Sequence, residues 1–562
     1  MRLLKKVIIA TMIASVVCGS MPIGVYQAAA QEPTDITVSN VTYKFENDKA
    51  GYADGSITVT ASADAKFELY WGNSAGEKMQ RDGVFYSSLG SVTTINGTGT
   101  YDIISDYTAI PEGVSKLLVY NGDEKEYTYD IPQNKVFNKG TVKYKYGILS
   151  DIHYNRYNAS GSDDAFSAFN KALTFMEKTA KVSFVGGLGD LSNRSEDASF
   201  KSYSDELSKH NLTMYTCMGN HDVYNADGWK KYINTDIQSK NAKSKGILNV
   251  ADNGLDFVYQ NSASTEDVFI FLSQTRWLYN SPAATLLTDE QLYWLEEMLV
   301  AYADKNVYLF FHTYVANNDG NTEKCVGNLK NPGGYSYDLT YTFGAKDEKK
   351  MRKLLQKYSN VTMFGGHSHW SYSMQIYNEN LNIGTLGTGA TLVHVSSVTS
   401  PRSIGKNDSE RTDLNNQASE GMVADIYNDC VVYTGVDIWN NEYEAYATYI
   451  AEKGAKTTAE KIKVPVKAKI KSAVKTNKKA KKAKIRLKKI KGALGYEIAY
   501  STTKKFKAKK TTVKKTKKTT YTIKKLKAGK TYYVRARAYI KKYGKYRYGK
   551  WSKAKKITVK KK

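Results

Sequence analysis

Residues 361–372 read VTMFGGHSHWSY. An apolar run of β type ends in two glycines, and His367 and His369 follow one residue apart, in a chain of 562 residues with only seven histidines. A strand that stops in Gly-His-x-His can aim two imidazoles at one point. Whether it does so depends on what else in the chain points there.

Four further blocks answer. GILSDIHYN supplies Asp151 and His153, FVGGLGDLSNRS supplies Asp190, YTCMGNHDVY supplies Asn220 and His221, and LFFHTY supplies His312. Each sits where an apolar strand ends, and in an open α/β sheet ligands bind outside the carboxyl ends of the strands. Alone, each block is weak: Asp-x-His is a common cap, Gly-Asp and Gly-Asn are turn dipeptides, and His312 could be a core histidine. Together with Gly-His-x-His they hold five of the seven histidines, always after a strand.

The ligand chemistry is coherent. Carboxylate and amide oxygens with imidazole nitrogens suit Zn, Mn or Fe, and no thiolate takes part. Asp151, His153, Asp190, Asn220, His312, His367 and His369 are too many for one tetrahedral ion. They are about right for two divalent or trivalent ions sharing a carboxylate, which can clamp the attacking and leaving oxygens of a displacement at phosphorus.

At these residues the chain resembles the calcineurin-like metallophosphoesterases, whose motif series is Asp-x-His, Gly-Asp, Gly-Asn-His-Asp/Glu, His and Gly-His-x-His. The resemblance covers roughly residues 141–450. It implies an α/β/β/α four-layer sandwich and hydrolysis of phosphate mono- or diesters by in-line attack of a metal-activated hydroxide. It also implies a division of ligands: one ion on Asp151, His153, Asp190 and His369, the other on the shared Asp190, Asn220, His312 and His367. His221 would contact the phosphate or protonate the leaving oxygen, and Asp222 would orient it. Arg194 sits where some members carry a phosphate-clamping arginine, with a plain surface arginine as the alternative. Purple acid phosphatases place a tyrosine ligand three residues after the Gly-Asp aspartate. Asn193 stands there, so a tyrosinate-to-iron colour is not expected.

Outward from this centre, residues 141–455 alternate buried-type strands with helical stretches, an α/β layered domain. In TDEQLYWLEEMLVAYA, Thr288 is placed to cap a helix with Gln291 closing the box, and Leu292, Leu295, Met298 and Leu299 share one face. Residues 32–140 read as an all-β sandwich. Residues 467–562 are again β: Tyr532, Val534, Ala536 and Ala538 share one parity, Arg535 and Arg537 the other, which predicts one buried and one wet face. Leu526, Gly529, Tyr532 and Val534 resemble the E–F corner of fibronectin type III modules, with Tyr532 at the tyrosine-corner position.

Charge divides the chain. From residue 461 onward there are 41 Lys and Arg against one acid, Glu497, a net of +40; with +27 overall, the first 460 residues carry −13. Such a split predicts two bodies with different tasks. A Lys-rich β module can hold polyanions by counterion release, whether nucleic acid, wall polymer or acidic glycan; a solvated spacer is the alternative. The first 30 residues have the basic start, short apolar run and QAAA ending of a secretory signal peptide. The rival, an uncleaved anchor, suffers from the interruption by Gly19 and Pro22. No later run is long enough to span a membrane. Cys217, Cys325 and Cys430 are too few for a disulfide framework, and pairing of Cys325 with Cys430 stays open. The expectation is a secreted metallophosphoesterase, retained at a bacterial-type cell wall. Its rival is a surface adhesion protein that uses the phosphoesterase domain as a scaffold. The natural substrate is not legible.

Overall fold

The computed structural model describes residues 36–154, 164–276, 286–313, 328–329, 345–376, 389–404, 411–413, 418–454, 467–475, 481–542 and 545–559. The leader, Cys325, the segment NPGGYSYDLTY and most of the linker before residue 467 lie outside them.

Two six-stranded sheets make the centre. The first runs Met214–Thr216, Val185–Gly187, Tyr144–Leu149, Glu420–Ile426, Cys430–Asp437, Glu442–Glu452. Its first three strands are parallel and the remainder antiparallel. The second runs Ile247–Val250, Phe257–Tyr259, Asp267–Phe271, Asn306–Phe310, Val361–Gly365, Thr391–His394. There the last four strands are parallel. Parallel strands need both faces covered, and side-chain alternation supplies the two faces. In Glu420–Ile426, Met422, Ala424 and Ile426 join the core between the sheets, whereas Val423 joins the core on the other side. The inner core is aromatic: Tyr146 of the first sheet meets Phe269 and Tyr308 of the second edge-on at 5.2 and 5.6 Å.

Helices cover the outer sides. Leu292, Leu295 and Leu299 of helix Asp289–Ala301 and Met351 and Leu354 of helix Ala345–Leu355 pack into the core of the second sheet. Phe169 and Leu173 of helix Asp164–Thr174 and Phe200 of helix Asp197–Leu207 pack with Val185, Val423 and Val436 of the first. The expected capping box is present: Gln291 N donates to Thr288 Oγ1 at 3.2 Å and Thr288 N donates to Gln291 Oε1 at 3.0 Å. Met298 is only partly buried at the edge of that face.

The amino-terminal strands form a three-stranded and a four-stranded sheet around Ile57, Val59, Phe67, Leu69 and Trp71. This body is pinned to the first central sheet by Arg81, whose Nη2 lies 2.7 Å from Asp425 Oδ1. Two further sheets build the carboxyl-terminal body around Ile485, Ile498, Val534 and Ala536. Tyr532 Oη accepts from Lys527 N at 3.1 Å. The face expected to be wet stays half-exposed, with an indole laid across its arginines. Arg535 and Arg537 each lie 4.4 Å from the Trp551 ring, and Arg537 pairs with Glu497 at 2.6 Å. A guanidinium stacked on an indole covers apolar surface while keeping its charge. Among the described residues no helix is long and apolar enough to cross a membrane.

Candidate metal centre

Strands Tyr144–Leu149, Val185–Gly187, Met214–Thr216, Asn306–Phe310 and Val361–Gly365 all end beside one cleft, and the residues after each supply its lining. The turns are unusual. Asp151, His153, Asp190, His367 and His369 have φ of 55°, 49°, 50°, 70° and 62°. Left-handed backbone costs a non-glycine residue roughly 1–3 kcal/mol, and such strain persists where the surroundings over-determine it, commonly at functional sites. Five strained residues in one cleft mark where this chain spends stability.

Two motif glycines are required by close approach. A Cβ on Gly219 would lie 2.2 Å from Asp190 Oδ1, and one on Gly366 would lie 2.0 Å from Ser150 Oγ and 2.7 Å from Asp151 Oδ2. Gly366→Ala is therefore expected to displace Asp151. Metal content should fall at least tenfold at fixed free metal, against a change of less than twofold for an alanine at Gly83, where the added Cβ meets open space and the cost is confined to a φ of 81° in its own turn; metal analysis of the two purified variants decides it.

Each carboxylate is held by one oxygen and offers the other. Asp151 Oδ2 accepts from Ser150 Oγ at 2.5 Å and from His367 N at 3.0 Å. Asp190 Oδ1 accepts from His221 N at 2.8 Å. The second oxygens face imidazoles. Asp151 Oδ1, buried and without a hydrogen bond, lies 3.1 Å from His369 Nε2 and 3.6 Å from His153 Nε2. Asp190 Oδ2 lies 3.2 Å from His312 Nε2 and 3.7 Å from His153 Nε2. His153 Nε2 and His369 Nε2 are 3.0 Å apart. His312 Nε2 is 3.0 Å from Asn220 Oδ1 and 3.2 Å from His367 Nδ1. Three overlapping groups of potential ligands emerge among the described residues, Asp151–His153–His369, His153–Asp190–His221 and Asp190–His312–His367.

Second contacts orient the rings. His312 Nδ1 lies 2.7 Å from Leu188 O and His369 Nδ1 3.2 Å from Ser400 O. A backbone carbonyl on one ring nitrogen keeps the proton there and leaves the other lone pair for a cation. The electrostatics agree. Burial would raise the Asp151 carboxyl, but His369 and His312 hold it well below the usual range. Burial lowers His312, yet Asp190 and Asp151 overturn this and raise it to about 9. The cleft thus demands positive charge.

All seven expected ligands converge. Of the three other expected site residues, His221 is half-buried at the cleft wall, its ring edge-on to His153 with centroids 4.9 Å apart, its Nδ1 2.8 Å from Asn193 O. Asp222 plays another part than orienting that ring. It accepts from Leu191 N at 3.1 Å, Ser192 N at 3.1 Å and Gly219 N at 3.0 Å, tying the Gly-Asp and Gly-Asn-His turns together, while the Asn193 carbonyl orients the imidazole. Burial, with Asp190 adding, pushes Asp222 up to about 8. Arg194 is exposed, and its backbone N donates to Ser192 Oγ at 3.2 Å.

A supporting layer has no counterpart in the sequence reading. Ser397 Oγ and Thr399 Oγ1 donate to the Asp151 carbonyl at 2.9 and 3.1 Å. Buried His394 lies 2.7 Å from Ser368 Oγ, between the two histidines of Gly-His-x-His. The only signal was HVSSVTS, residues 394–400, a hydroxyl-rich run directly after a strand.

The donor set fits two cations sharing a carboxylate: hard oxygens, borderline nitrogens, one carboxylate oxygen without a hydrogen bond, and two pairs of imidazole nitrogens converging to 3.0 and 3.2 Å. Residues 144–371 match the family model of the calcineurin-like phosphoesterases. This part of the chain is a calcineurin-like phosphoesterase domain, and the protein is a metal-dependent phosphoester hydrolase. No curated protein matches. Among solved structures, the chain is similar to a purple acid phosphatase from yellow lupin (Lupinus luteus) seeds, at 12% identity over 74% of each chain and a TM-score of 0.34. It is also similar to a predicted phosphoesterase from Streptococcus pneumoniae TIGR4, at 10% identity over 55% of this chain and 97% of that one, TM-score 0.23. The FN1–FN3 domains of chicken CNTN1 match at 12% identity over 27% and 51%, TM-score 0.14. Likenesses this distant carry no argument about activity.

Proposed function

We propose that this chain is an exported phosphoesterase in which Asp151, His153, Asp190 and His369 hold one ion and Asp190, Asn220, His312 and His367 the other. The observation that carries the reading is the meeting of two carboxylate–imidazole groups at Asp190. Two such cations, when bound, acidify water and offset charge on the phosphoryl oxygens. The chain's own residues do the rest. The Asn193 carbonyl holds the proton on His221 Nδ1, so in the doubly protonated ring the transferable proton is the one on Nε2; it passes to the departing ester oxygen while the attacking water releases one of its own to solvent. The P–O ester bond breaks as water oxygen bonds to phosphorus, and no covalent phosphoenzyme is required. Asp222 and Gly219 hold the turn that carries His221.

The test is metal analysis of the purified protein with a panel of phosphate mono- and diesters. About two transition ions per chain with turnover of at least one ester class supports the reading; no bound ion and no P–O cleavage ends it.

The remaining parts complete the proposal. Residues 1–30 direct export, 32–140 form a β-sandwich, 141–455 the catalytic domain, and 467–562 a fibronectin type III-like module. The module's net positive charge holds the enzyme on an anionic cell-surface polymer. Retention on cells should then fall steeply between 50 and 200 mM salt, on the order of tenfold or more. Salt-independent retention would assign the module to spacing instead.

A further inference from the structure

The two histidines of Gly-His-x-His serve different ligand groups, His367 beside His312 and His369 beside Asp151 and His153. Both stand on left-handed backbone, with Ser368 between them. Whatever holds Ser368 therefore holds both rings at once. The backbone of the turn is tied at its ends: Gly366 N donates to His312 O at 2.8 Å, and Arg402 N donates to His369 O at 2.7 Å. Ser368 is tied through its side chain. Its Oγ accepts from Trp370 N at 3.3 Å, a bond within the turn, and lies 2.7 Å from His394 Nε2, a bond to the sheet.

The second of these bonds comes from a fixed point. His394 closes strand Thr391–His394, whose parallel register sets it opposite Gly365, the last strand residue before the turn. Ser368 and His394 are each 2% exposed. A hydrogen-bonded pair buried this deeply adds little net stability, and two apolar residues of the same shape would serve a core as well. What apolar residues cannot do is fix direction as well as distance, which a hydrogen bond does.

We propose that His394 is a positioning residue: acting through Ser368, it sets the two imidazoles of Gly-His-x-His relative to each other and so governs both metal ions together. The inference rests on the two-ion reading of the site and deepens it.

The probe is Mn(II) with the full chain, followed by equilibrium binding and electron paramagnetic resonance. Two Mn(II) ions held side by side give an exchange-coupled signal that single ions do not. Ser368→Ala removes one oxygen from the turn, and His394→Ala removes its partner. Each variant should raise both Mn(II) dissociation constants by roughly ten- to a hundredfold, the usual cost of losing a contact that orients metal ligands. Each should also weaken the coupled signal at saturating Mn(II). The double variant should lose no more than either single one, as residues acting as a unit do. His394→Gln, whose amide reaches as far as Nε2 and can donate or accept, should restore the coupled signal. Far-UV circular dichroism of the metal-free variants should match the wild type; if His394→Ala does not fold, the cycle is run with His394→Asn, whose amide stops short of Ser368. Losses that add in the double variant, weakening of one ion alone, or an unchanged coupled signal in Ser368→Ala overturns the proposal and leaves the two-ion site standing. A wild type that takes up no second ion ends the two-ion reading and the proposal with it.

Discussion

Asp190→Asn is expected to lower turnover by about three orders of magnitude and to leave at most one metal ion per chain. The change keeps size and shape and removes one charge. The Oδ1 contact to His221 N at 2.8 Å survives, since an amide oxygen also accepts. What is lost is the anionic oxygen that faces both His312 Nε2 at 3.2 Å and His153 Nε2 at 3.7 Å. Asp151 Oδ1 reaches His312 Nε2 only at 4.0 Å, so Asp190 is the nearer link between the ligand groups and its loss weakens both sites at once. A thousandfold corresponds to about 4 kcal/mol of transition-state stabilisation, within what Lewis-acid charge stabilisation contributes. Metal content and kcat of the variant, measured together, decide it. Two ions and wild-type kcat would show that Asp190 is not shared.

The same carboxylate sets a pH dependence in chelator-treated protein. His312 is raised to about 9: burial lowers it, and Asp190 is the first of the groups that more than restore it. A histidine raised in the folded state stabilises fully below its unfolded value of about 6.5, and that stability is lost as pH rises through the folded value. Metal-free wild type should therefore lose melting temperature between about pH 6.5 and 9, and metal-free Asp190→Asn should lose less. Where Asp190 has been neutralised, a decline as steep as the wild type's would assign the dependence to other groups.

Much of this site was legible because each ligand block follows a strand end, three of the five through a glycine directly before the ligand, and those are short-range signals. The strands KYGILS, VSFVGGL, TMYTCM, VYLFF and VTMFG were readable from apolar runs bounded by turn residues. The helix beginning at Asp289 was readable from Thr288 and Gln291, since a capping box is written within four residues. What stayed hidden depends on distance along the chain. Strand Glu420–Ile426 pairs with Tyr144–Leu149 across more than 270 residues, and nothing local announces that partner. Ser397, Thr399 and His394 look like loop and strand residues until folding brings them under Asp151 and Ser368.

One misreading came from adjacency. Asp222 follows His221 directly, so adjacency suggested that it orients the imidazole. A 3-10 turn points consecutive side chains apart, and Asp222 faces inward to three backbone N–H groups. In the carboxyl-terminal body, alternation placed Arg535 and Arg537 opposite the core correctly, and there they stay half-exposed with Trp551 and Tyr548 stacked on them. Period-2 patterning reports which face a side chain takes, and says nothing of what a later strand lays upon it.

His221→Ala separates chemistry from metal binding. His221 lies beside His153, ring centroids 4.9 Å apart. Its backbone N, which an alanine retains, is what holds Asp190 Oδ1. Removing the ring thus leaves the carboxylate anchored, and metal content should stay within about twofold of wild type. Turnover of an ester with a poor leaving group should fall by about 10²–10⁴, the usual contribution of a positioned proton donor. An ester whose alcohol leaves readily without a proton should lose far less. That contrast is the diagnostic, because a general collapse of the site would lower both esters alike. Loss of metal in His221→Ala would make the imidazole a ligand, and equal losses for the two esters would remove it from the leaving oxygen.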